Sequence, residues 1–145
     1  MKKKYRIGYT MGVFDLFHIG HLNIIKKAKS LCDYLIVGVT TDERALMLKG
    51  SLPIIPFDER VKIIESIKYV DQVVPKNSPD IKEDWDNLKF NVLIKGSDWK
   101  GRPEGNTLKT ELKKLGVKVK YFPYTEDTSS TMLKDAISKL SKKIL

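Results

Sequence analysis

Cysteine is almost missing from this sequence: Cys32 is the one thiol in 145 residues. No internal disulfide can form, and a CxxC or Cys/His zinc site is excluded. Cys32 then reads as a small core residue on the apolar face of a helix. Long hydrophobic runs are missing as well. None approaches the ~18 residues that a membrane span needs. The basic start, Met1-Lys2-Lys3-Lys4-Tyr5-Arg6, is not followed by the apolar stretch of a signal peptide. The expectation is a cytoplasmic protein with no membrane contact. Internal repeats, low-complexity tracts and linker-like stretches are also lacking, so residues 1–145 read as a single domain. Histidine is nearly as scarce as cysteine, with two in the chain.

What is present is an ordinary globular balance, 41% hydrophobic and 31% charged, with a formal net charge of +9. That excess favours anionic partners. The lysines are spread out and form no stripe. Lys26, Lys27 and Lys29 fall on the outer face of one helical segment, Lys109, Lys113 and Lys114 on another, and Lys139, Lys142 and Lys143 end a third. These read as solvated faces. Neither a basic stretch interleaved with aromatics nor a recognition-helix motif is found, so nucleic acid is not the expected partner.

Hydrophobic periodicity alternates between two forms along the chain. Tyr5 to Thr10 reads as a strand broken by Gly12. Leu22, Ile25, Ala28 and Cys32 then share a helical face. Tyr34 to Val39 is a continuous apolar run, the pattern of a strand covered on both sides. After a loop, Phe57, Val61, Ile64 and Ile67 form a second helical stripe. Val70 to Val74 is a short strand expected to stop at Pro75. Ile81, Trp85 and Leu88 mark a helix, and Asn91 to Lys95 a strand. Leu108, Leu112 and Leu115 mark a helix closed by Gly116, and Val117 to Phe122 a strand. Leu133, Ala136, Ile137 and Leu140 mark the final helix. The alternation predicts an α/β, Rossmann-like fold, a parallel sheet of about five strands with helices on both faces. Ligands of such a sheet bind beyond the carboxyl ends of its strands.

Both histidines fall at such a position. Directly after the first strand comes Gly12-Val13-Phe14-Asp15-Leu16-Phe17-His18-Ile19-Gly20-His21. An i, i+3 spacing puts both rings on one side of the helix that begins here. The helix N-terminus supplies backbone N–H groups and a positive dipole end, and Gly20 lets an anion come close to the backbone. These features together make a phosphate site. Zinc would need at least one more protein ligand, and no cysteine or histidine is available to supply it.

The segment resembles the HxGH signature of the nucleotidyltransferase superfamily. Class I aminoacyl-tRNA synthetases share the string, but they are much longer chains with a KMSKS loop and a tRNA-binding region. The neighbouring residues look most like the bacterial glycerol-3-phosphate cytidylyltransferases, and the likeness runs over most of the chain. Thr41-Asp42-Glu43, Lys49-Gly50 and Glu59-Arg60 are similar to that family's TDE, lysine and ER positions. Tyr69-Val70-Asp71-Gln72-Val73 is similar to RYVDEV, with Lys68 where the family has arginine. Gly96-Ser97-Asp98-Trp99 is similar to GDDW, with Ser97 in place of the first aspartate. Thr125-Glu126-Asp127-Thr128-Ser129-Ser130-Thr131 is similar to RTEGISTT, with Tyr124 in place of its arginine and Asp127 in place of its glycine.

Taken singly, each of these segments has a plain structural reading too. Ser129 or Ser130 is a good N-cap, Asp98-Trp99 a turn with a packing aromatic, Lys49 a surface lysine, and Arg60 an exposed helix residue. Their order and spacing behind HxGH favour the functional reading. The resemblance implies transfer of CMP from CTP to a small phosphomonoester, most simply glycerol 3-phosphate, with release of pyrophosphate. It implies His18, His21 and Lys49 as catalytic residues. It implies nucleotide contacts from Gly12, Val13, Phe14, Gly20, Asp98, Trp99, Thr125, Ser129, Ser130 and Thr131, and acceptor contacts from Arg60 and Lys49. Mg²⁺ is implied as cofactor, held mainly by phosphate oxygens and water, with Asp15 as the one residue near that shell. A homodimer is implied. The alternatives are a heptose-type sugar-phosphate adenylyltransferase using ATP, and a non-catalytic module that binds a nucleotide or nucleic acid.

Overall fold

Eleven elements follow one another in the order β1 (Tyr5–Gly12), α1 (Ile19–Leu31), β2 (Cys32–Thr40), α2 (Asp42–Lys49), α3 (Phe57–Glu65), β3 (Gln72–Lys76), α4 (Ile81–Leu88), β4 (Val92–Gly96), α5 (Pro103–Lys114), β5 (Lys118–Phe122) and α6 (Ser130–Ile144). The computed structural model describes residues 3–96, 103–123 and 130–144. All four strand pairings are parallel, and the spatial order is β3-β2-β1-β4-β5. This is the Rossmann-like sheet that the alternation predicts.

Each face of the sheet carries its own apolar layer. On one, Leu35, Val37, Val39, Val92 and Ile94 pack with Ile25 and Ala28 of α1 and Ile64 of α3. On the other, Tyr9, Ile36 and Leu93 pack with Ile81 of α4 and Leu112 of α5. Burial on both faces explains why β2 and β4 read as unbroken apolar runs. Gly38 of β2 serves the second layer: a methyl there would collide with the Tyr9 hydroxyl. That hydroxyl donates to Asp84 at 3.4 Å, and Asp84 pairs with Lys76 at the end of β3.

Three expectations are corrected. The stretch before Phe57 is not all loop, because α2 lies within it. Thr41 caps its start through a 3.2 Å bond from Arg44 N, and Gly50 ends it in the left-handed region at φ 76°. Its one buried residue is Ala45, while Leu46, Met47 and Leu48 are exposed, so no apolar stripe announces it. Next, β3 runs through Pro75, which pairs with Val39. The strand is at the sheet edge, where the missing N–H costs no ladder bond. Finally, Cys32 is fully buried as expected, but as the first residue of β2 and not on a helix face.

Candidate active site

In this strand order the chain leaves β1 toward β2 and β3, then crosses back to β4 and β5. The reversal opens a crevice between the carboxyl ends of β1 and β4. The β1–α1 loop and the first turn of α1, which carry His18 and His21, lie there.

The loop folds around a reciprocal cap. His18 is the N-cap of α1, and its Nδ1 accepts from Gly20 N at 3.0 Å. His21 Nδ1 accepts from His18 N at 3.3 Å. Each ring thus satisfies a backbone donor that a helix start leaves open. The consequence is chemical. A neutral imidazole that accepts at Nδ1 carries its proton on Nε2, so both rings present an N–H at their far ends. The rings stack with centroids 3.8 Å apart, and His21 is braced by Phe14 and Phe17, each at 5.4 Å. Burial lowers the pKa of His18. For His21, burial and then the neighbouring His18 lower it to about 4; Asp15 opposes that fall and Lys49 adds to it. Both rings are neutral hydrogen-bond donors at neutral pH.

The same loop contains strained backbone. Phe14 (φ 55°) and Leu16 (φ 51°) are both left-handed, at about 1 kcal/mol or more each. The strain turns Asp15 inward, where its carboxylate takes Ile55 N at 2.9 Å on Oδ1, and Ile54 N at 2.8 Å and Lys134 Nζ at 3.0 Å on Oδ2. The side chain is 2% exposed. Although burial raises its pKa, these donors outweigh it and leave the carboxyl below the usual value.

Lys49, the last residue of α2, faces this cluster. Partial withdrawal from water and then Lys134 lower its pKa, Asp15 raises it, and Arg60 lowers it further. Asp15, His21 and Lys49 thus lie within electrostatic reach of one another, and His18 stacks on His21.

Other expectations are revised. Arg60 is not an exposed helix residue presented to an acceptor. Its side chain is fully buried; Nε donates to Ile55 O at 2.9 Å, Nη1 to Val13 O at 2.7 Å and Thr40 O at 2.8 Å, and Nη2 to Asp42 Oδ1 at 2.7 Å. It ties the ends of β1 and β2 to the loop before α3. Phe14 turns its ring into the core, against Gly12 and His21, so a nucleotide can meet only its backbone. The N–H of Gly20 is not free for an anion, because His18 takes it. Asp15 does not offer an open metal-binding edge, since both of its oxygens accept protein donors. Among the described residues no group of three or more histidines, cysteines or carboxylates could hold a metal ion. The described residues do not fit a protein-caged Mg²⁺.

Gly12 and Val13 are half-exposed at the crevice, and Thr131 is exposed in the first turn of α6. Ser130 opens α6. Asp98, Trp99, Thr125 and Ser129 lie outside the described residues. Lys134, which no motif flags, and Asp42 of the Thr41-Asp42-Glu43 segment, to which no role was given, hold the site together. The signal for Arg60 was available: it falls at helical spacing with Phe57, Ile64 and Ile67, on the apolar stripe.

The sequence matches the family described as cytidylyltransferase-like over residues 9–136. The chain belongs to this family. It is 38% identical to glycerol-3-phosphate cytidylyltransferase of Bacillus subtilis (strain 168) over 132 residues, 90% of this chain and 96% of the relative. It is also 38% identical to FAD synthase of Pyrococcus abyssi (strain GE5 / Orsay) over 138 residues, 92% of this chain and 88% of that one. Among solved structures it superposes on the lipopolysaccharide core biosynthesis protein of Thermoplasma volcanium GSS1 with a TM-score of 0.70 at 28% identity, covering 86% of this chain and 99% of that one. The chain is a nucleotidyltransferase, which sets aside the reading as a non-catalytic module. No helix among the described residues is long and apolar enough to cross a membrane.

Proposed function

We propose that this cytidylyltransferase-like enzyme moves CMP from CTP to a small phosphomonoester, glycerol 3-phosphate being the first choice. The observation that carries the reading is the pair of stacked, neutral imidazoles at the start of α1, each held at Nδ1 by a cap bond so that its proton lies on Nε2. The relative of nearly equal length named glycerol-3-phosphate cytidylyltransferase supports the substrates.

An oxygen of the acceptor phosphate attacks the α-phosphorus of CTP in line. The bond from that phosphorus to the bridging oxygen breaks, and pyrophosphate leaves with the electron pair. No covalent enzyme intermediate is needed. His18 and His21 donate hydrogen bonds to the α-phosphate and the bridging oxygen as charge builds there. Neutral rings suit this work, because they donate without giving up the proton. Lys49 neutralises the outer phosphates or the acceptor phosphate, and the Ser130 end of α6 meets the nucleotide phosphates. Mg²⁺ would be left by these residues to the triphosphate and water, where it would supply further charge neutralisation. A homodimer in the cytoplasm completes the proposal.

A second reading is favoured by the FAD synthase relative: the nucleotide is ATP, and an adenylyl group moves to a phosphorylated acceptor, with a heptose-type sugar phosphate as one candidate.

One assay separates them. Four nucleoside triphosphates are crossed with polyol, sugar and amino-alcohol phosphates in the presence of Mg²⁺, and pyrophosphate is measured. CTP with glycerol 3-phosphate should give the strongest signal, and His18→Ala and His21→Ala should each lose about 10²-fold or more in kcat while staying folded. An ATP-dependent signal moves the assignment to the second reading. Silence across the grid, or near-normal turnover in either histidine variant, defeats the proposal.

A further inference from the structure

α6 is lightly held over its described side chains. Across residues 131–141 all side chains are exposed except those of Leu133 and Lys134, which are half-buried. Its second turn nevertheless reaches Asp15 of the histidine loop. There the Lys134 ammonium lies 3.0 Å from Asp15 Oδ2.

Asp15 is a hub. It precedes His18 by three residues, it is flanked by the left-handed Phe14 and Leu16, and it accepts the N–H groups of Ile54 and Ile55. One buried carboxylate therefore joins the histidine loop, the segment that follows Lys49 and the last helix. An ion pair between two exposed side chains is worth little. This one differs because the carboxylate is already fixed by two backbone donors, so only the lysine side chain has to be ordered, and a charge-assisted bond to a fixed, desolvated acceptor is stronger than a surface pair.

We propose that Lys134 is a positioning residue whose ion pair with Asp15 latches the first turns of α6 against the histidine loop and thereby sets the affinity for the nucleoside triphosphate. The affinity clause rests on the reading of that loop as a triphosphate site; the latch itself does not. Removing the lysine leaves Asp15 with its two backbone donors, so the fold survives. Removing Asp15 would orphan Ile54 N and Ile55 N and unsettle the loop. Lys134 is therefore the position to vary.

The test compares the full chain with Lys134→Met, which keeps length without charge, and Lys134→Arg, which restores a donor. Amide hydrogen exchange on the unliganded proteins should show the first turns of α6 opening about tenfold more readily in Lys134→Met, with the sheet amides unchanged. Lys134→Arg should return to the wild-type pattern. In steady state, Lys134→Met should raise KM for the triphosphate about tenfold with kcat nearly unchanged, and Lys134→Arg should recover most of it. A generally destabilised protein would instead lose kcat through its active fraction at constant KM. Unchanged α6 exchange in Lys134→Met overturns the latch. Altered exchange with an unchanged KM overturns its link to nucleotide affinity. A wild-type protein that turns over no triphosphate counts against the proposed reaction, and the exchange measurement still decides the latch.

Discussion

At neutral pH the two imidazoles act as helix caps on one edge and as hydrogen-bond donors on the other. This dual use ties the state of the site to stability. A free imidazole takes a proton near pH 6.5, whereas burial and the neighbouring His18 hold His21 down to about pH 4. Between these values the unfolded chain binds a proton that the folded chain refuses, so stability falls as pH drops from about 6.5 toward 4 and is complete above that window. His18, also lowered by burial, adds to the same slope. Thermal melts at pH 7 and pH 5 should show a clear loss for the wild type and a smaller loss for His21→Gln, whose side chain does not titrate. Equal losses in both proteins would show that His21 is not buried as a neutral base. Arg60 carries a second prediction at this scale. With four hydrogen bonds to fixed partners and no exposure, it acts as a structural fork. Lysine cannot reproduce the fork, so Arg60→Lys should cost about 2 kcal/mol or more in urea unfolding. A stable variant with only a raised acceptor KM would restore the acceptor role that the resemblance implies.

The elements that the sequence shows clearly are those with two-sided or one-sided apolar patterns. β2 and β4 were legible because both of their faces are covered. α1 and α3 were legible because each has one stripe. α2 was not, because Leu46, Met47 and Leu48 are consecutive and exposed, and its real signals are the caps Thr41 and Gly50. The passage of β3 through Pro75 depends on the strand's place at the sheet edge, which periodicity does not encode. In the site, the strand–loop–helix setting of HxGH was legible, and the Asp15 hub was not. Hydrogen bonds from Ile54 N, Ile55 N and Lys134 join positions about 40 and 120 residues away, with no local pattern to betray them. Gly38 tests how tightly the elements are fitted. Its missing side chain leaves room for the Tyr9 hydroxyl, which reaches Asp84 across the second layer. Gly38→Ala should destabilise by about 1–3 kcal/mol through overpacking. Tyr9→Phe in the same chain removes the colliding oxygen, so the double variant should lose less than the sum of the single losses in a mutant cycle. Strict additivity would show that the two side chains do not compete for that space.

At the scale of the whole molecule, topology selects one end of the sheet, whereas charge acts over all of it. The strand order sets the crevice beside the loop after β1, and Lys134 of α6 reaches Asp15 of that loop. The net charge of +9 is distributed over several helices and not concentrated in a groove. Such a field raises the local concentration of any small polyanion without contacting it. Its reach is set by salt, about 10 Å at 0.1 M and about 3 Å at 1 M. Contacts inside the site, such as the imidazole N–H groups, are too close to be screened in this way. The two contributions should therefore separate in a salt series. From 0.05 to 0.5 M KCl, kcat/KM for the triphosphate should fall about tenfold as the long-range field is screened, while kcat stays nearly constant because the bound geometry is unchanged. A parallel fall in kcat would place the salt effect on the chemistry itself. A flat kcat/KM would mean that the distributed lysines are bystanders and that the local set of His18, His21 and Lys49 supplies all of the attraction.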